Sequence, residues 1–545
     1  MKNIFKGILA LSLLCAPFVV QPDCDDECTV SCGSSDCDYQ YGKTYFHARE
    51  AGTNLPLRMM GSADKMHLFE KECEFYGVFS IAVGYERSRN SCDLGKVFSF
   101  NSSGTTLFAG DQGTNANAFM TINDADSNAR STDFGMSGTH AETLKFTPSI
   151  SKVLVDFDLF VGLDEFINGV WARISAPVVY ARYNLDPCPS VTAEGGQYYL
   201  KGFVANTAST VKVPYSNVKD AWGNQGAYGD VLSSKYGKLP CGSQSKTRLG
   251  NIDIEVGYDI IRNECARLGI AILAVAPTGN SPDIGTLFDP IAGTFNWQLG
   301  GTLGGSWVLW NCNDEQSFTL YGQVNIVHLF RANNERLFGW NNLGNDLSAG
   351  SSYILLKQFD SAGAYDNAIE RSQNLLARRI KVGNSYMTDF ALMLQYRRCA
   401  FDLSIGYNFW YRSKDTAEDC GGCVLSGKKI TANTYGIKGV NPVGNGSGTA
   451  NNNFYTKSTS NIALSGTNVA TSAAAAGDYL LESDVRECTA LAPSAYSNKV
   501  FGYLGYNWDN CDYTPYLGIG GMYEWAHQNR AADQWGLYIK GGLSF

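Results

Sequence analysis

The stretch Trp535-Gly-Leu-Tyr-Ile-Lys-Gly-Gly-Leu-Ser-Phe545 closes the given sequence and decides how the rest of it is interpreted. Counting back from Phe545, every second residue is apolar or glycine, and the residues between them include Ser544, Lys540 and Tyr538. Successive side chains of a β-strand point to opposite faces. This stretch therefore predicts a strand with one apolar face and one polar face.

The same alternation recurs along the chain and predicts twelve strands in all. The clearest is around residues 252–260, where Asp253, Glu255 and Asp259 alternate with aliphatic residues. Burying three carboxylates in an ordinary core would be very costly. A fourteen-strand count stays open if residues 96–110 hold another pair. The predicted strands cover residues 75–85, 153–161, 170–180, 252–260, 268–274, 297–309, 318–326, 390–396, 401–411, 500–506, 517–525 and 535–545.

The connections between these strands alternate in length. Transmembrane barrels have short periplasmic turns and long extracellular loops, so this asymmetry predicts an all-β, antiparallel up-and-down transmembrane barrel with both ends in the periplasm. The short links lie near residues 164–169, 263–266, 311–316, 397–400 and 508–512, whereas the long ones cover 88–150, 185–248, 278–294, 331–385 and 413–498. The last link, 526–533, is a short exception.

The N-terminus has the features of a secretory signal. Lys2 and Lys6 precede a short apolar run and a polar exit, which predicts a signal peptide over residues 1–23. The run is too short for a spanning helix, which needs about 20 apolar residues. Residues 24–73 are then predicted to be a cysteine-rich periplasmic segment and residues 74–545 the barrel. The net charge of −9 argues against nucleic acid as a partner.

On these residues and this topology the chain resembles bacterial outer-membrane β-barrels of the porin type. That resemblance implies a Gram-negative outer membrane, with the lipid bilayer, lipopolysaccharide and the barrel-assembly machinery as partners. In that family the C-terminal aromatic residue is part of the insertion signal, which here implies Trp535, Leu537, Ile539, Leu543 and Phe545. With its many cysteines the chain is also similar in broad type to the major outer-membrane porins of chlamydiae, in which disulfide cross-links stiffen the envelope.

The chain has 16 cysteines, of which Cys15 lies in the predicted signal peptide. Cysteines at water-exposed positions in an oxidising compartment favour disulfides. An odd number would remain after cleavage, so at least one would be unpaired or bonded to another envelope protein. A metal site is disfavoured by the spacing of the N-terminal cysteines and the lack of a nearby histidine, and no cofactor is expected. The disulfide candidates are Cys24, Cys28, Cys32, Cys37, Cys188, Cys241, Cys420, Cys423 and Cys488.

The parity of the strands also predicts which side chains face the lumen. The wall that these lumen-facing side chains form is polar and mildly acidic. This composition suits a water-filled pore that favours cations or uncharged solutes. The alternative is that the same groups pair and plug a narrow barrel, helped by an infolded loop, by helical patches at residues 366–380, or by the tail 24–73. The predicted pore-lining residues are Asp156, Asp158, Arg173, Asp253, Glu255, Asp259, Gln323, Asn325, Asp389, Asp402, Arg412 and Glu524.

The sequence leaves three classes of function to distinguish. Some twelve-stranded barrels are lipid hydrolases, but His328 is the only plausible catalytic histidine, and no outward serine stands at matching height on its neighbours. The chain is therefore not expected to be an enzyme. The leading hypothesis is a porin-like channel for passive diffusion of small hydrophilic solutes. The alternative is a disulfide-cross-linked structural or adhesive protein with the barrel as its anchor.

Overall fold

The structure is a computed structural model of the full chain. The residues it describes are 41–71, 74–110, 129–199, 201–206, 210–312, 316–340, 343, 350–418, 424–439, 454–457, 469–470, 478–486, 490–508 and 513–545.

The centre of the described chain is a closed antiparallel barrel of twelve strands. Each strand pairs with its neighbours in sequence, and the last strand pairs with the first, which closes the ring. Two short strands, Gln244–Leu249 and Asp415–Glu418, extend the sheet at one end. The twelve strands are β1 Phe75–Ser88, β2 Ser149–Leu163, β3 Val170–Asn184, β4 Asn251–Arg262, β5 Ala266–Pro277, β6 Gln298–Cys312, β7 Gln316–Leu337, β8 Ala377–Arg398, β9 Phe401–Arg412, β10 Ala495–Asn507, β11 Thr514–Ala526 and β12 Gln534–Ser544.

The period-two pattern of the sequence corresponds to the two faces of this wall. In β12 the side chains of Leu537 and Ile539 are 61% and 56% exposed, whereas Tyr538 and Lys540 between them are buried. The same alternation in the other strands produces an apolar outer belt and a polar interior. The predicted all-β barrel of twelve strands is thus confirmed. The fourteen-strand alternative is wrong, because Thr105–Ala109 pairs in a separate sheet.

The two ends of the barrel differ. At one end short links join β2 to β3, β4 to β5 and β8 to β9, and the rings of Phe75 and Phe545 lie 6.3 Å apart there. At the other end the long connections fold into a layer that we call the cap. In outer-membrane barrels the long loops are extracellular, so the cap marks the outer end.

The described part of the cap contains three small sheets and several short helices. One sheet is formed by Thr105–Ala109, Ala129–Arg130, Ala141–Phe146 and Pro187–Ala193, a second by Leu355–Phe359, Tyr365–Arg371, Tyr435–Ile437, Phe454–Tyr455 and Val469–Ala470, and a third by Gly339–Trp340 and Val485–Arg486. The described α-helices are α1 Leu55–Met59 in the barrel interior, and α2 Ser91–Lys96, α3 Val218–Asn224 and α4 Ser372–Leu376 in the loops. The short 3₁₀ turns among the described residues are Ala63–Lys65, Phe69–Lys71, Ser131–Phe134, Ser351–Tyr353, Glu482–Asp484 and His527–Asn529. None of the described helices has the length and apolarity needed to cross a membrane.

The cap has an aromatic core of its own. The ring of Trp222 lies 5.3 Å from Phe100, 5.5 Å from Phe134 and 5.0 Å from Tyr353, and all four are buried. Aromatic pairs at such distances add about 0.5–1.5 kcal/mol each beyond their buried area. The outer connections that carry these four residues are therefore packed into a folded layer.

The helical patch predicted at residues 366–380 is mostly wrong. Tyr365–Arg371 is a strand that pairs with Leu355–Phe359, and only Ser372–Leu376 forms a single helical turn before β8 begins. Local helix propensity is a weak preference, and tertiary pairing overrides it here.

Candidate pore and its luminal segment

The bore of the barrel is occupied by residues 41–71, which we call the luminal segment. At the cap end the Lys43 amide donates to the Val97 carbonyl oxygen at 2.8 Å. At the short-turn end His67 Nδ1 lies 3.1 Å from Asp259 Oδ2, on β4 close to its turn. The segment therefore runs from the cap down through the bore before the chain enters β1. The described part of the segment that we expected in the periplasm lies inside the barrel, where its cations meet an acidic wall.

Local sequence shapes the middle of this segment. Pro56 stands in the first turn of α1, where its missing N–H leaves no intrahelical bond unmade. All five residues of α1 are buried. Gly61 follows with φ +70°, and a Cβ there would lie 2.5 Å from the Tyr503 hydroxyl oxygen on β10. Only glycine combines that left-handed backbone with so close an approach to the wall.

The first of three contact layers is centred on Arg49. Its guanidinium donates to Asp389 at 3.1 Å, to Glu524 at 3.0 Å and to the side-chain oxygen of Asn408 at 2.9 Å. The side chain is 1% exposed and lies over the Trp410 ring. Three wall strands, β8, β9 and β11, are thus tied to one residue of the luminal segment.

The second layer is centred on Arg58 of α1. Its Nε donates to Asp156 Oδ2 at 3.4 Å, and its Nη1 pairs with Asp253. The wall also binds the backbone of the segment, because Arg173 donates to the Arg58 carbonyl oxygen at 3.1 Å and Lys540 to the Leu57 carbonyl oxygen at 2.9 Å. Charged groups of the wall therefore contact both the side chains and the main chain of α1.

The third layer surrounds His67 near the short-turn end. Asp259 accepts from Trp171 Nε1 at 3.1 Å and from Arg267 Nε at 2.9 Å, in addition to its contact with His67. The imidazole ring packs edge-on against Trp171 at 4.9 Å and Phe160 at 4.5 Å. This layer combines one carboxylate with an aromatic pocket.

The structure places the predicted pore-lining residues on the inner face of the wall, in several groups. Asp389, Arg412 and Glu524 lie around the upper part of the segment, and Arg412 donates to the His47 carbonyl oxygen at 3.5 Å. Asp259 belongs to the lowest layer, and Asp402 is held by Gln395 and Ser404 of the wall itself. Asp156, Asp158, Arg173, Asp253 and Glu255 surround Arg58, while Gln323 and Asn325 line small cavities beside it.

Arg49 and Arg58 were missed as site residues by the sequence analysis. The available signal was the excess of carboxylates among the inward positions, because buried carboxylates need cations. Several other inward groups were also missed. They are Glu86 on β1, Lys152 on β2 and Lys499 on β10, all of which are buried.

The space left between the luminal segment and the wall is small. Two cavities of about 30 and 40 Å³ lie on the side of β4 to β7, next to α1. A water needs roughly 10–15 Å³ on this scale, so each cavity has room for a few waters. In the state described here these cavities are far too small for a sugar or an amino acid.

The remaining predicted residues lie outside the bore. Leu537, Ile539, Leu543 and Phe545 of the implied insertion signal are exposed on the outer face, and Trp535 is half-buried there. His328 is also on the outer face, with Nδ1 2.7 Å from the Ser385 carbonyl oxygen.

The cysteines are only partly covered by the described residues. Cys241 is an exposed thiol that forms no disulfide with any described residue, and the same holds for the turn cysteines Cys265, Cys312 and Cys399. The Cys188 sulfur lies 3.8 Å from Thr147 Oγ1. The candidates Cys24, Cys28, Cys32, Cys37, Cys420, Cys423 and Cys488 lie outside the described residues.

The chain matches no protein family model and no curated protein sequence. Among solved structures it is similar to the COG4313 outer-membrane channel from Pseudomonas putida F1, with 10% identity, a TM-score of 0.31, and coverage of 86% of this chain and 96% of that one. It is also similar to the NanC porin, with 10% identity, a TM-score of 0.23, and coverage of 72% and 93%. A third is the β-domain of the Bordetella autotransporter BrkA, with 7% identity, a TM-score of 0.26, and coverage of 86% and 100%.

Proposed function

We propose that this chain is an outer-membrane channel for passive diffusion of small hydrophilic solutes, and that the luminal segment is its gate. The supporting observation is the chemistry of the interface between segment and wall. Alongside buried apolar contacts of residues such as Leu55 and Met60, the interface contains several charged pairs, such as Arg49 with Asp389 and Arg58 with Asp156. Water can solvate both sides of such an interface when the segment moves, so the emptied bore would be a hydrated, mildly acidic pore.

The outer surface supports the location and partners in this proposal. Large aliphatic side chains such as Ile272 and Ile519 are more than 60% exposed on the outer face of their strands. A continuous apolar band of this kind suits lipid acyl chains in the outer membrane. We propose that lipopolysaccharide meets the outer rim, and that the C-terminal residues ending at Phe545 are recognised by the barrel-assembly machinery.

The test is single-channel conductance of the refolded full chain in planar lipid bilayers. Replacing both luminal arginines, Arg49→Gln with Arg58→Gln, removes the cations that hold the segment to the wall. This variant should open much more often than the unmodified chain. If it stays closed while its barrel remains folded, the channel proposal is wrong.

A disulfide lock provides a matched control. A Cβ on Gly52 would lie 1.6 Å from Asn251 Oδ1 on β4, so the two side-chain positions face each other directly. Adding Gly52→Cys and Asn251→Cys to the opening variant should silence it under oxidising conditions, and a reductant should restore the openings. The variant with Gly52→Cys alone should not respond to reductant.

A second candidate function is favoured by the folded cap and the exposed thiols. A barrel that only anchors a surface layer would keep the cap core around Trp222 and could use Cys241 for cross-links between proteins. This alternative predicts electrical silence in the opening variant as well. It also predicts higher-mass species on a non-reducing gel that disappear when Cys241 is replaced by serine.

A further inference from the structure

The guanidinium of Arg58 lies in a site with more negative charge than it can neutralise. Asp156 and Asp253 contact it directly, and Glu255 lies on the same face of β4. The neighbouring cation Arg173 is already committed to Asp158, with two hydrogen bonds of 2.8 Å. Arg173 also faces Glu255 across the β3–β4 pair, and Lys540 lies near Asp156. The four carboxylates of the site therefore exceed its three cations by one charge.

Several polar atoms of this site have no hydrogen-bond partner among the residues that the structure describes. They are Nη2 of Arg58, Oδ1 of Asp156, Oδ1 of Asn251 and Oε2 of Glu255. Glu255 is only 4% exposed. A buried polar atom without a partner is destabilising, and more so when it is charged. Such atoms in one place indicate room and need for a further polar ligand.

The site lies between the two cavities beside α1. Arg58 and Glu255 line both of them. The opposite wall of the larger cavity carries no large side chain at Thr302, Gly304 and Gly305 on β6. Withdrawal of the Arg58 side chain would therefore join the cavities along β4 to β7, with the three carboxylates facing the passage.

We infer that Asp156, Asp253 and Glu255 form a binding site for solutes that carry a guanidinium or primary ammonium group, and that Arg58 occupies it as an internal competitor. Carboxylates bind a guanidinium through parallel N–H donors, and the group remains charged when it is partly desolvated. This inference rests on the proposed channel function and names its solute class. A permeating cation would take the place of Arg58 and so favour the open arrangement.

Binding can be tested without any measurement of conductance. In Arg58→Ala the site is vacant, so guanidinium chloride at tens of millimolar should raise the Tm of the detergent-solubilised protein by about 1–3 °C. Urea and sodium chloride at the same concentrations control for the neutral isostere and for ionic strength. The unmodified chain should show no such rise, and Arg58→Ala combined with Glu255→Gln should lose most of it. Equal shifts with urea, or none with guanidinium, would overturn the site.

Channel recordings give a second, independent measurement on the unmodified chain. L-arginine should increase the open probability several-fold relative to L-citrulline, which has nearly the same shape without the positive charge. Glu255→Gln should abolish this difference. If both solutes act alike while the channel conducts, the site is refuted even if the arginine variant fails to fold. Silence of every variant would count against the channel function, and the thermal experiment then decides the site.

Discussion

Replacing Arg49 with methionine should release the upper part of the luminal segment. The substitution keeps most of the apolar stem of the side chain and removes the guanidinium that joins Asp389, Asn408 and Glu524. Because Arg49 is 1% exposed, water cannot replace these bonds while the segment stays in place. The variant therefore destabilises the docked segment and leaves the undocked one, whose groups are hydrated, nearly unaffected.

The magnitude follows from what each carboxylate retains. Glu524 keeps Lys499 at 3.3 Å and the hydroxyl of Ser497 at 2.5 Å, so it remains compensated. Among the described residues, Asp389 keeps hydrogen bonds from the side-chain amide of Asn408 and the backbone amide of Leu55. Its ion pair is lost, since the nearby cation Lys499 is paired with Glu524. Leaving one buried charge uncompensated costs about 3–5 kcal/mol. At about 1.4 kcal/mol per factor of ten, the undocked population should rise roughly 100- to 4,000-fold.

Chemical labelling measures this population directly. Gly52 lies in the buried part of the segment, so a cysteine placed there reacts with a maleimide only when the segment leaves the wall. The parent carries Gly52→Cys together with Asn251→Ala, because the cysteine would otherwise clash with the Asn251 side chain. The labelling rate at position 52, followed by mass spectrometry, should increase about 100-fold or more on addition of Arg49→Met. A rate within threefold of the parent, with the barrel still folded, would refute the reasoning.

Arg379→Met is the matched control. Arg379 also forms an ion pair, with Glu335 at 3.2 Å, but its side chain is 59% exposed. Exposed pairs contribute about 0–1 kcal/mol. Loss of this arginine should change the labelling rate at position 52 by less than about fivefold.

Three further predictions concern the wall and the cap. A Cβ at Gly257 would lie 2.3 Å from the Trp171 ring, so Gly257→Val should destabilise the barrel by about 1–3 kcal/mol. In heat-modifiable electrophoresis the compact band should disappear at a lower temperature, and an unchanged temperature would contradict the close contact. Ile519→Arg in the outer belt should reduce the free energy of unfolding from liposomes by about 2–4 kcal/mol, whereas Leu543→Arg near the rim should reduce it by about 0–1 kcal/mol. Equal reductions for the two variants would argue against the apolar belt. Burial lowers the pKa of Lys357 in the cap to about 7, below its ordinary value of 10.5. Between these two pH values the unfolded chain binds more protons than the folded one, so the stability of the cap should rise with pH from about 7 to 10.5. Limited proteolysis should show this rise in the unmodified chain, and it should disappear in Lys357→Met.

The strands could be predicted from the sequence because each of them has one face toward the outside and one toward the bore. In β4, for example, Ile254 and Val256 are exposed on the outer face while Asp253 and Glu255 point inward. This contrast appears in the sequence as an alternation of apolar and polar residues with a period of two. Strand pairing then followed from the order of the strands, since neighbours in an up-and-down barrel are neighbours in sequence. The closure of the ring followed from the same barrel assignment, whereas the register of the strand pairs was not predicted.

The luminal segment could not be predicted in the same way. Around Arg49 and Arg58 the sequence has no repeating pattern, and the partners of these residues are far away in sequence, at positions such as Asp389 and Asp253. Only the sum of wall charges indicated that a cation was needed, and that sum does not say which cation. The strand at Tyr365–Arg371 was missed for a related reason, because its partner strand overrides its local preference for helix.

The seam between β1 and β12 constrains the order in which the molecule is assembled. Gly77 and Phe545 exchange reciprocal backbone hydrogen bonds of 2.9 Å across that seam. Before β12 pairs with β1, the sheet is curved but open along one side. Residues 41–71 can then enter it from that open side, whereas in a closed barrel they would have to be threaded along the axis. A folding intermediate in which β12 has not yet paired should therefore already contain the contact between Arg49 and Asp389. Closure of the barrel would then enclose a luminal segment that is already docked.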